Sequence, residues 1–440
     1  MKRISVAWAA LIILPVWAQG AETVFGEAFS ARFDRGTLVD LATRDARGFV
    51  MPPERATGAG IRCLDGDHWA GTSRSEGNRE ICESLSGLPG GRITCSYRAD
   101  ESGDLVVTQK AESPEKGVWG VEWNIENIPL DMNIIVPAHS GMKWTRNDRI
   151  GTESYDYPIM WEAQLVIVEG QGRGFYVWAD DAKGVFKRLM LERGAKGWRL
   201  RFITMPMAPF EERNACESVP WHVDIYEGDW RVPAKRYRTW AEKAFSPTPI
   251  GQQRPEWIRD IRACVIMPLS MKMLEALPGR ADPAQTLLYL YGWRAAGYDR
   301  DYPSYDKPVP EFEPFVRHAH EFGFRVMLHV NYFGCDPLNP LYAQFEPYQV
   351  RNPFGSHEKE WWLWMRADPP IKFAYINPAC KAWRELLVSR LADLCKAYAI
   401  DALHLDQTLC IYNDHNGLVD GMTFIEGNIA LHRELRKALP

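Results

Sequence analysis

The stretches Arg325–Asn331 (RVMLHVN) and Ile400–Asp406 (IDALHLD) decide the fold of the second half of this chain. In both, aliphatic residues alternate with other residues, which is the period-two pattern of a β-strand. We expect the aliphatic faces to pack beneath outer helices, and the opposite faces end in Asn331 and Asp406. The pattern therefore predicts these two polar side chains together at the carboxyl ends of successive parallel strands, where (β/α) barrels hold catalytic groups.

Similar strands and amphipathic helices flank these two stretches. Further strands are predicted at Ile261–Met267, Leu287–Tyr291 and Phe373–Ile376, and helices at Glu311–Phe322, Lys381–Tyr398 and Thr423–Leu439. Strands that alternate with helices predict βα units around a parallel sheet. We interpret residues 259–440 as the N-terminal half of a (β/α)8 TIM-type barrel.

The first half of the chain has a different sequence pattern. Short alternating runs, separated by Gly, Asp and Asn turns, predict an antiparallel β-sandwich over residues 22–230. The clearest runs are Phe29–Phe33, Leu105–Gln109, Val118–Asn124, Ala163–Glu169, Gly174–Ala179 and Trp198–Phe202. A connecting helix and proline-rich linker are expected over residues 231–258, the helix burying Tyr237, Trp240, Ala241 and Phe245.

The composition is that of a globular protein. The 440 residues carry 52 Lys and Arg against 57 Asp and Glu, a formal net charge of −5, which argues against nucleic acid as a partner. The aromatic content is unusual, with 18 Trp, 17 Tyr and 18 Phe. Flat aromatic faces suit sugar rings as well as cores, so a carbohydrate ligand is expected.

The N-terminus resembles a secretory signal peptide over residues 1–21. Lys2 and Arg3 precede an apolar stretch, Ile4–Trp17, that is too short to span a bilayer. We therefore expect a secreted or periplasmic protein without stable membrane insertion after cleavage.

Nine cysteines are present, and Cys82 and Cys95 bracket a turn across which they could form a disulfide bond.

Polar residues gather around the predicted strand ends. Besides Asp406, the expected substrate-binding residues are Trp293, Asp299, Tyr302, His329, Asn331, His404, Gln407 and His415. Asn331 should lie at a strand end beside Asp406, His329 and His404 one layer below, and the others in the loops that follow. A strand-end Asp can also simply cap a loop, but convergent polar groups among aromatic residues favour a sugar site. Glu426 lies in the first turn of a helix, where negative charge is favoured in any case.

The segment Tyr398–Gln407 (YAIDALHLDQ) resembles the nucleophile strand of retaining α-glycosidases, which carry an Asp at the end of the fourth barrel strand. Tyr375–Trp383 (YINPACKAW) is similar to the stretch before that strand in α-glucosidase-like enzymes, and Tyr291–Pro303 (YGWRAAGYDRDYP) resembles a second-strand loop of exported glycoside-hydrolase-like proteins. Phe29–Phe49 and Gly228–Phe245 are similar to the opening hairpin and exit helix of the galactose-mutarotase-like sandwich that precedes the barrel in that group. His404 stands where α-galactosidases and α-glucosidases have a Lys.

The resemblance implies a retaining glycoside hydrolase with Asp406 as nucleophile and no cofactor. Retention requires two carboxyl groups about 5–5.5 Å apart, and the acid/base residue is expected on a later strand, beyond residue 440. A full barrel takes roughly 250 residues, whereas Ile261–Pro440 supplies 180. The chain could be a fragment, a smaller sheet or a half-barrel completed by another chain, and if it is a fragment, it is expected to be inactive alone.

Two other functions remain open from the sequence. A non-catalytic carbohydrate-binding protein would use the sandwich and the aromatic loops. A metal-dependent hydrolase would place Zn²⁺ between His329, His404 and Asp406.

Overall fold

The structure, a computed structural model, describes residues 22–25, 28–247 and 255–439. The predicted signal peptide and the centre of the predicted linker lie outside these residues. Two parts follow one another along the chain, an antiparallel β part and a part built around a parallel sheet. The predicted order of an antiparallel β domain followed by a parallel β/α sheet is confirmed, whereas closure of that sheet into a barrel stays a prediction.

The antiparallel part has strands whose side chains alternate between buried and partly exposed positions, as in Phe29–Asp34. Such alternation is expected when one face of each strand covers a core. The strands are β1 (Glu22–Phe25), β2 (Phe29–Asp34), β3 (Thr37–Thr43), β4 (Gly48–Val50), β5 (Gly60–Cys63), β6 (Gly66–Glu76), β7 (Arg79–Leu85), β8 (Arg92–Ala99), β9 (Leu105–Glu112), β10 (Val118–Pro129), β11 (Asn133–Val136), β12 (Met142–Trp144), β13 (Gly151–Tyr157), β14 (Leu165–Gly170), β15 (Arg173–Ala179), β16 (Lys187–Arg193), β17 (Gly197–Thr204), β18 (Ala215–Glu217) and β19 (Trp221–Glu227).

These strands form two sheets, and the long strand β6 belongs to both. Its first half pairs with β5 and its second half with β7, a device by which one strand turns the corner between sheets. Large aromatic side chains fill the core: Trp123 stacks on Phe202 at 4.8 Å and Trp161 on Trp221 at 6.2 Å between ring centroids. Many of the tryptophan side chains that suggested sugar contacts therefore pack in the hydrophobic core.

The nine cysteines are all free thiols, and Cys82 and Cys95 are fully buried on neighbouring strands. The bridge considered between them is not formed. The hydrogen bond with the adjoining Cys95 thiol, followed by burial, raises the pKa of Cys82 well above its ordinary value.

The remaining elements are α1 (Arg231–Phe245), β20 (Ala263–Ile266), α2 (Met271–Ala276), β21 (Thr286–Leu290), α3 (Phe312–Phe322), β22 (Arg325–Asn331), β23 (Gly334–Cys335), α4 (Tyr342–Phe345), β24 (Trp361–Trp364), β25 (Ile371–Tyr375), α5 (Lys381–Tyr398), β26 (Ala402–Asp406) and α6 (Phe424–Ala438). Along α1, Tyr237 and Trp240 pack against Trp178 of the sandwich. Phe245 is 47% exposed, so its predicted burial is wrong. It lies in the last turn of α1, past the contacts with the sheet.

The parallel sheet has the order β20-β21-β22-β26. Val326, Leu328 and Val330 are fully buried, as expected for the face beneath the helices. The strand predicted near Phe373 instead joins β23 and β24 in a separate antiparallel sheet. This small sheet is inserted between β22 and α5 and places its aromatic strand β24 near the carboxyl edge of the parallel sheet, as the contacts below show. Among the described helices, none is both long and apolar enough to cross a membrane.

The two parts of the chain touch through loops. The side chain of Asn413 accepts a hydrogen bond from the Ala208 amide at 2.9 Å and donates one to the Pro206 carbonyl at 3.0 Å. Beside it, the Phe354 ring packs against Phe210 and Trp119 at 5.1 and 5.3 Å. Loops of the parallel part are thereby fixed against the sandwich.

Candidate functional site

Asp406 and Asn331 lie side by side at the carboxyl edge of the parallel sheet, because β22 and β26 pair in the register that sets these residues opposite each other. The Asn331 amide donates to Oε1 of Gln407 at 3.0 Å, and its oxygen accepts the Gly334 amide at 2.8 Å. Gln407 has a φ of +63°, a left-handed conformation that turns the chain sharply after Asp406. Asn331 therefore holds both loops in place rather than presenting a free amide.

The Asp406 side chain is half-buried at this edge. Burial raises the pKa of its carboxyl group, while the neighbouring His404 and the Gln407 backbone amide lower it. A partly desolvated carboxylate with few hydrogen-bond donors retains reactivity toward an electrophilic carbon.

One layer below, two imidazoles and a phenol form a polar cluster. His329 and His404 are paired in register and stack at 5.6 Å between ring centroids. The Tyr289 hydroxyl bonds to Nδ1 of His329 at 2.7 Å and lies 3.4 Å from Nδ1 of His404. Burial, reinforced by His404 and Arg294, lowers the pKa of His329 to about 4. His329 is therefore neutral at ordinary pH, and its buried Nε2 has no hydrogen-bond partner.

A second carboxyl group approaches from the loop after β21. Asp299 is buried and adopts a φ of +57°, and its Oδ1 accepts the Tyr302 hydroxyl at 2.8 Å. Burial raises its pKa, the Tyr302 hydrogen bond lowers it, and the charge of Asp406 raises it. Asp299 and Asp406 thus act on each other electrostatically, and fully buried Tyr302 positions Asp299.

Aromatic side chains border the cluster on its open side. The Tyr298 ring lies 5.0 Å from His329 and 5.9 Å from Trp364, and it meets Tyr291 edge-on at 6.2 Å. Trp364 and Tyr291 are 38% and 41% exposed. Exposed aromatic faces beside polar groups are features that bind pyranose rings.

Two residues expected at the site lie elsewhere. Trp293 is fully buried, and its indole N–H donates to the His329 carbonyl at 3.0 Å. This placement leaves no indole face for a sugar, which corrects the expectation for Trp293. His415 turns toward the sandwich, where its Nε2 lies 2.8 Å from Oε1 of Glu211.

Glu426 closes a capping box with Thr423 at the start of α6, each side chain meeting the other's backbone amide. It is therefore a helix cap.

Sequence reasoning missed Tyr289, whose hydroxyl joins the two histidines. Tyr289 lies two residues before Tyr291 in the predicted strand Leu287–Tyr291. Since alternate residues of a strand share a face, this spacing could have placed Tyr289 on the face of the sheet that leads to the site.

The Zn²⁺ site considered between His329, His404 and Asp406 is not supported by geometry. Among the described residues, three groups of His, Cys, Asp or Glu bring their ligand atoms within 4.8 Å of one another, and this trio is not one of them. Nδ1 of His329 is also engaged by Tyr289.

Comparison with known proteins extends this description. Residues 218–417 match a family model described as a domain of unknown function, DUF6259. No curated protein matches this chain. The α-N-acetylgalactosaminidase NagBb from Bifidobacterium bifidum, solved with Gal-NHAc-DNJ, superposes with a TM-score of 0.71 at 13% identity, covering 95% of this chain and 75% of that one. Its ligand-free form gives a TM-score of 0.68 at 12% identity, covering 94% and 76%.

A GH36 α-galactosidase, AgaB from Geobacillus stearothermophilus, superposes more loosely, with a TM-score of 0.46 at 12% identity over 96% of this chain and 69% of that one. At such identities the likeness to NagBb concerns the fold alone. The fold of this chain is thus one that is found in a glycosidase.

Proposed function

We propose that this protein is a retaining glycoside hydrolase that cleaves O-glycosyl bonds in oligo- or polysaccharides, with Asp406 as nucleophile. The observation that carries the proposal is the half-buried carboxyl group at the end of β26, beside Asp299 and bordered by exposed aromatic rings. The fold shared with an α-N-acetylgalactosaminidase supports an α-linked N-acetylgalactosaminide as the first substrate to test.

In this mechanism the ionised Asp406 attacks the anomeric carbon while the bond to the leaving oxygen breaks and that oxygen takes up a proton. Water then cleaves the glycosyl ester, and two inversions give net retention. Burial raises the pKa of Asp406, while His404 beside it and the Gln407 backbone amide favour the ionised form that attacks.

The remaining groups bind and position. Asp299, held by Tyr302, is assigned to a sugar hydroxyl, and Tyr298 with Trp364 to one face of the ring. Asn331 and Gln407 fix the turn that aims Asp406. The proton donor is assigned to none of the described residues.

The test compares wild-type protein with Asp406→Asn on aryl α-galactosides and α-N-acetylgalactosaminides with acidic phenol leaving groups, because these leaving groups depart without a proton donor. The variant should lose at least about 10³-fold in kcat, the scale expected for loss of a nucleophile, and should still bind the sugar in calorimetry. Asp393→Asn, which changes an exposed carboxyl group on α5, is the matched control and should retain full turnover.

Turnover that survives Asp406→Asn would end the nucleophile assignment. A carbohydrate-binding protein without catalysis would show sugar binding in all three proteins and turnover in none.

A further inference from the structure

Glu211, His357 and His415 converge where the sandwich meets the parallel part. Glu211 lies in a short 3-10 helix between β17 and β18, His357 in the loop before β24, and His415 in the loop after β26. Oε1 of Glu211 is 2.8 Å from Nε2 of His415 and 3.3 Å from Nε2 of His357. All three ligand atoms lie within 4.8 Å of one another.

We propose that these three side chains form a binding site for a divalent transition metal of the Zn²⁺ type, which ties the two parts of the chain together. Two imidazole nitrogens and one carboxylate oxygen are a donor set that suits Zn²⁺. With bonds of about 2.0–2.1 Å, neighbouring ligands of a tetrahedral Zn²⁺ are about 3.3 Å apart. The Glu211–His357 contact has this length, and the 2.8 Å contact between Glu211 and His415 would lengthen on metal binding. A water molecule would fill the fourth position, since all three side chains are partly exposed.

The polar contacts of this cluster are incomplete without a cation. Nε2 of His415 is buried and lacks a hydrogen-bond partner, because its close contact with Glu211 misses hydrogen-bond geometry. The two imidazole rings are only 3.6 Å apart between centroids, and their ligand nitrogens lie within 4.8 Å of each other.

The scaffold holds these ligands before any metal binds. Nδ1 of His357 lies 3.4 Å from the Asn352 carbonyl, an outer contact that turns Nε2 inward. The His415 amide donates to the Arg351 carbonyl at 3.0 Å, and the Arg351 amide donates to Asp414 at 2.9 Å. On the sandwich side, Phe210 next to Glu211 packs on Phe354.

The other two clusters with metal-ligand spacing are less suited. In the group of Asp100, Asp104 and His222, the Arg236 guanidinium already binds Asp104 at 2.5 Å and supplies the positive charge. In the group of Cys63, Asp65 and His68, burial raises the pKa of the Cys63 thiol to about 12, which disfavours the thiolate that a metal requires.

The experiment strips the full chain with chelator and titrates it with Zn²⁺, counting bound metal by elemental analysis after dialysis. The expected result is about one Zn²⁺ per chain, a higher thermal midpoint with Zn²⁺, and with Co²⁺ the visible absorption of a tetrahedral site. Loss of a residue that only supports a metal ligand weakens metal binding about 10–100-fold. His357→Asn and Glu211→Gln remove a ligand itself, so each should weaken Zn²⁺ binding by more than this.

His318→Asn removes an imidazole of α3 that contacts Glu321 and Phe322, away from the proposed site, and this control should bind Zn²⁺ like the wild type. Circular dichroism of the metal-free variants separates loss of the site from loss of folding. Absence of stoichiometric Zn²⁺, or equal binding by both ligand variants and the wild type, would overturn the proposal.

Discussion

At the scale of single residues, the negative charge on Asp406 destabilises the folded protein. Its pKa is raised in the folded protein, so folding is favoured below the ordinary pKa of Asp and this contribution is lost as pH rises through the raised value. Asp406→Asn removes the charge and should therefore raise the thermal midpoint at pH 7 while it abolishes turnover. Functional sites commonly show this trade of stability for activity.

Scanning calorimetry checks this prediction, with Asp393→Asn as the variant that should leave the midpoint unchanged. A lower midpoint for Asp406→Asn than for the control would show that the carboxylate stabilises the fold, contrary to its desolvated position.

His329 gives a prediction with the opposite dependence on pH. Its folded pKa is about 4, below the ordinary 6.5, so the unfolded chain takes up a proton first as the pH falls. Stability from this group is complete above pH about 6.5 and is lost between about 6.5 and 4, by up to about 1.4 kcal/mol per pH unit. Chemical denaturation of wild type and His329→Gln across this range should show a shallower pH dependence in the variant.

His318→Gln, which alters a partly exposed imidazole of α3, should keep the wild-type slope. Equal slopes in the wild type and His329→Gln would contradict the neutral, buried state of His329.

At the scale of elements, strand β24 contributes the exposed aromatic face that we assign to sugar binding. Trp364 and the preceding Leu363 point to opposite faces of the strand and are 38% and 53% exposed. Trp364→Ala should weaken sugar binding or raise KM by about 10-fold, the effect of roughly 1.4 kcal/mol of lost ring contact. Leu363→Ala should change neither by more than about twofold.

Isothermal calorimetry with the sugar bound most tightly by wild type measures both variants. If Leu363→Ala weakened binding as much as Trp364→Ala, the assignment of that face would be wrong.

The elements that could be predicted were those with strong local periodicity. The pattern of Arg325–Asn331 and of Lys381–Tyr398 located both elements with the bounds that the structure has. The period of two also implied that Asn331 and Asp406 end on the same face, and the register places them opposite each other.

Features that depend on contacts between distant segments could not be predicted in this way. A strand pattern near Phe373 does not reveal which partner strands it will meet, and these proved antiparallel. Composition cannot separate a buried Trp293 from an exposed Trp364, since burial depends on what packs above each ring. His415 meets Glu211 only because two parts of the chain come together.

At the scale of the whole molecule, Asn413 connects the sandwich to the loop that follows the candidate nucleophile. Asn413→Ala removes two hydrogen bonds and leaves the Ala208 amide without its partner, at a cost of roughly 1–3 kcal/mol. Denaturant unfolding measures this loss, and Asn147→Ala on an exposed loop should cost less than about 0.5 kcal/mol. An Asn413→Ala protein as stable as the wild type would show that these contacts do not join the two parts energetically.

The central claim is that Asp406 forms a covalent bond to the sugar, and trapping that bond tests it most directly. The protein is incubated with a 2-deoxy-2-fluoro or cyclitol-epoxide analogue of an α-galactoside, digested, and its peptides are examined by mass spectrometry. We expect one glycosylated peptide, with the label on Asp406 and no label in the Asp406→Asn protein. A label on another carboxyl group such as Asp299, or turnover of the α-glycoside without any covalent intermediate, would contradict it.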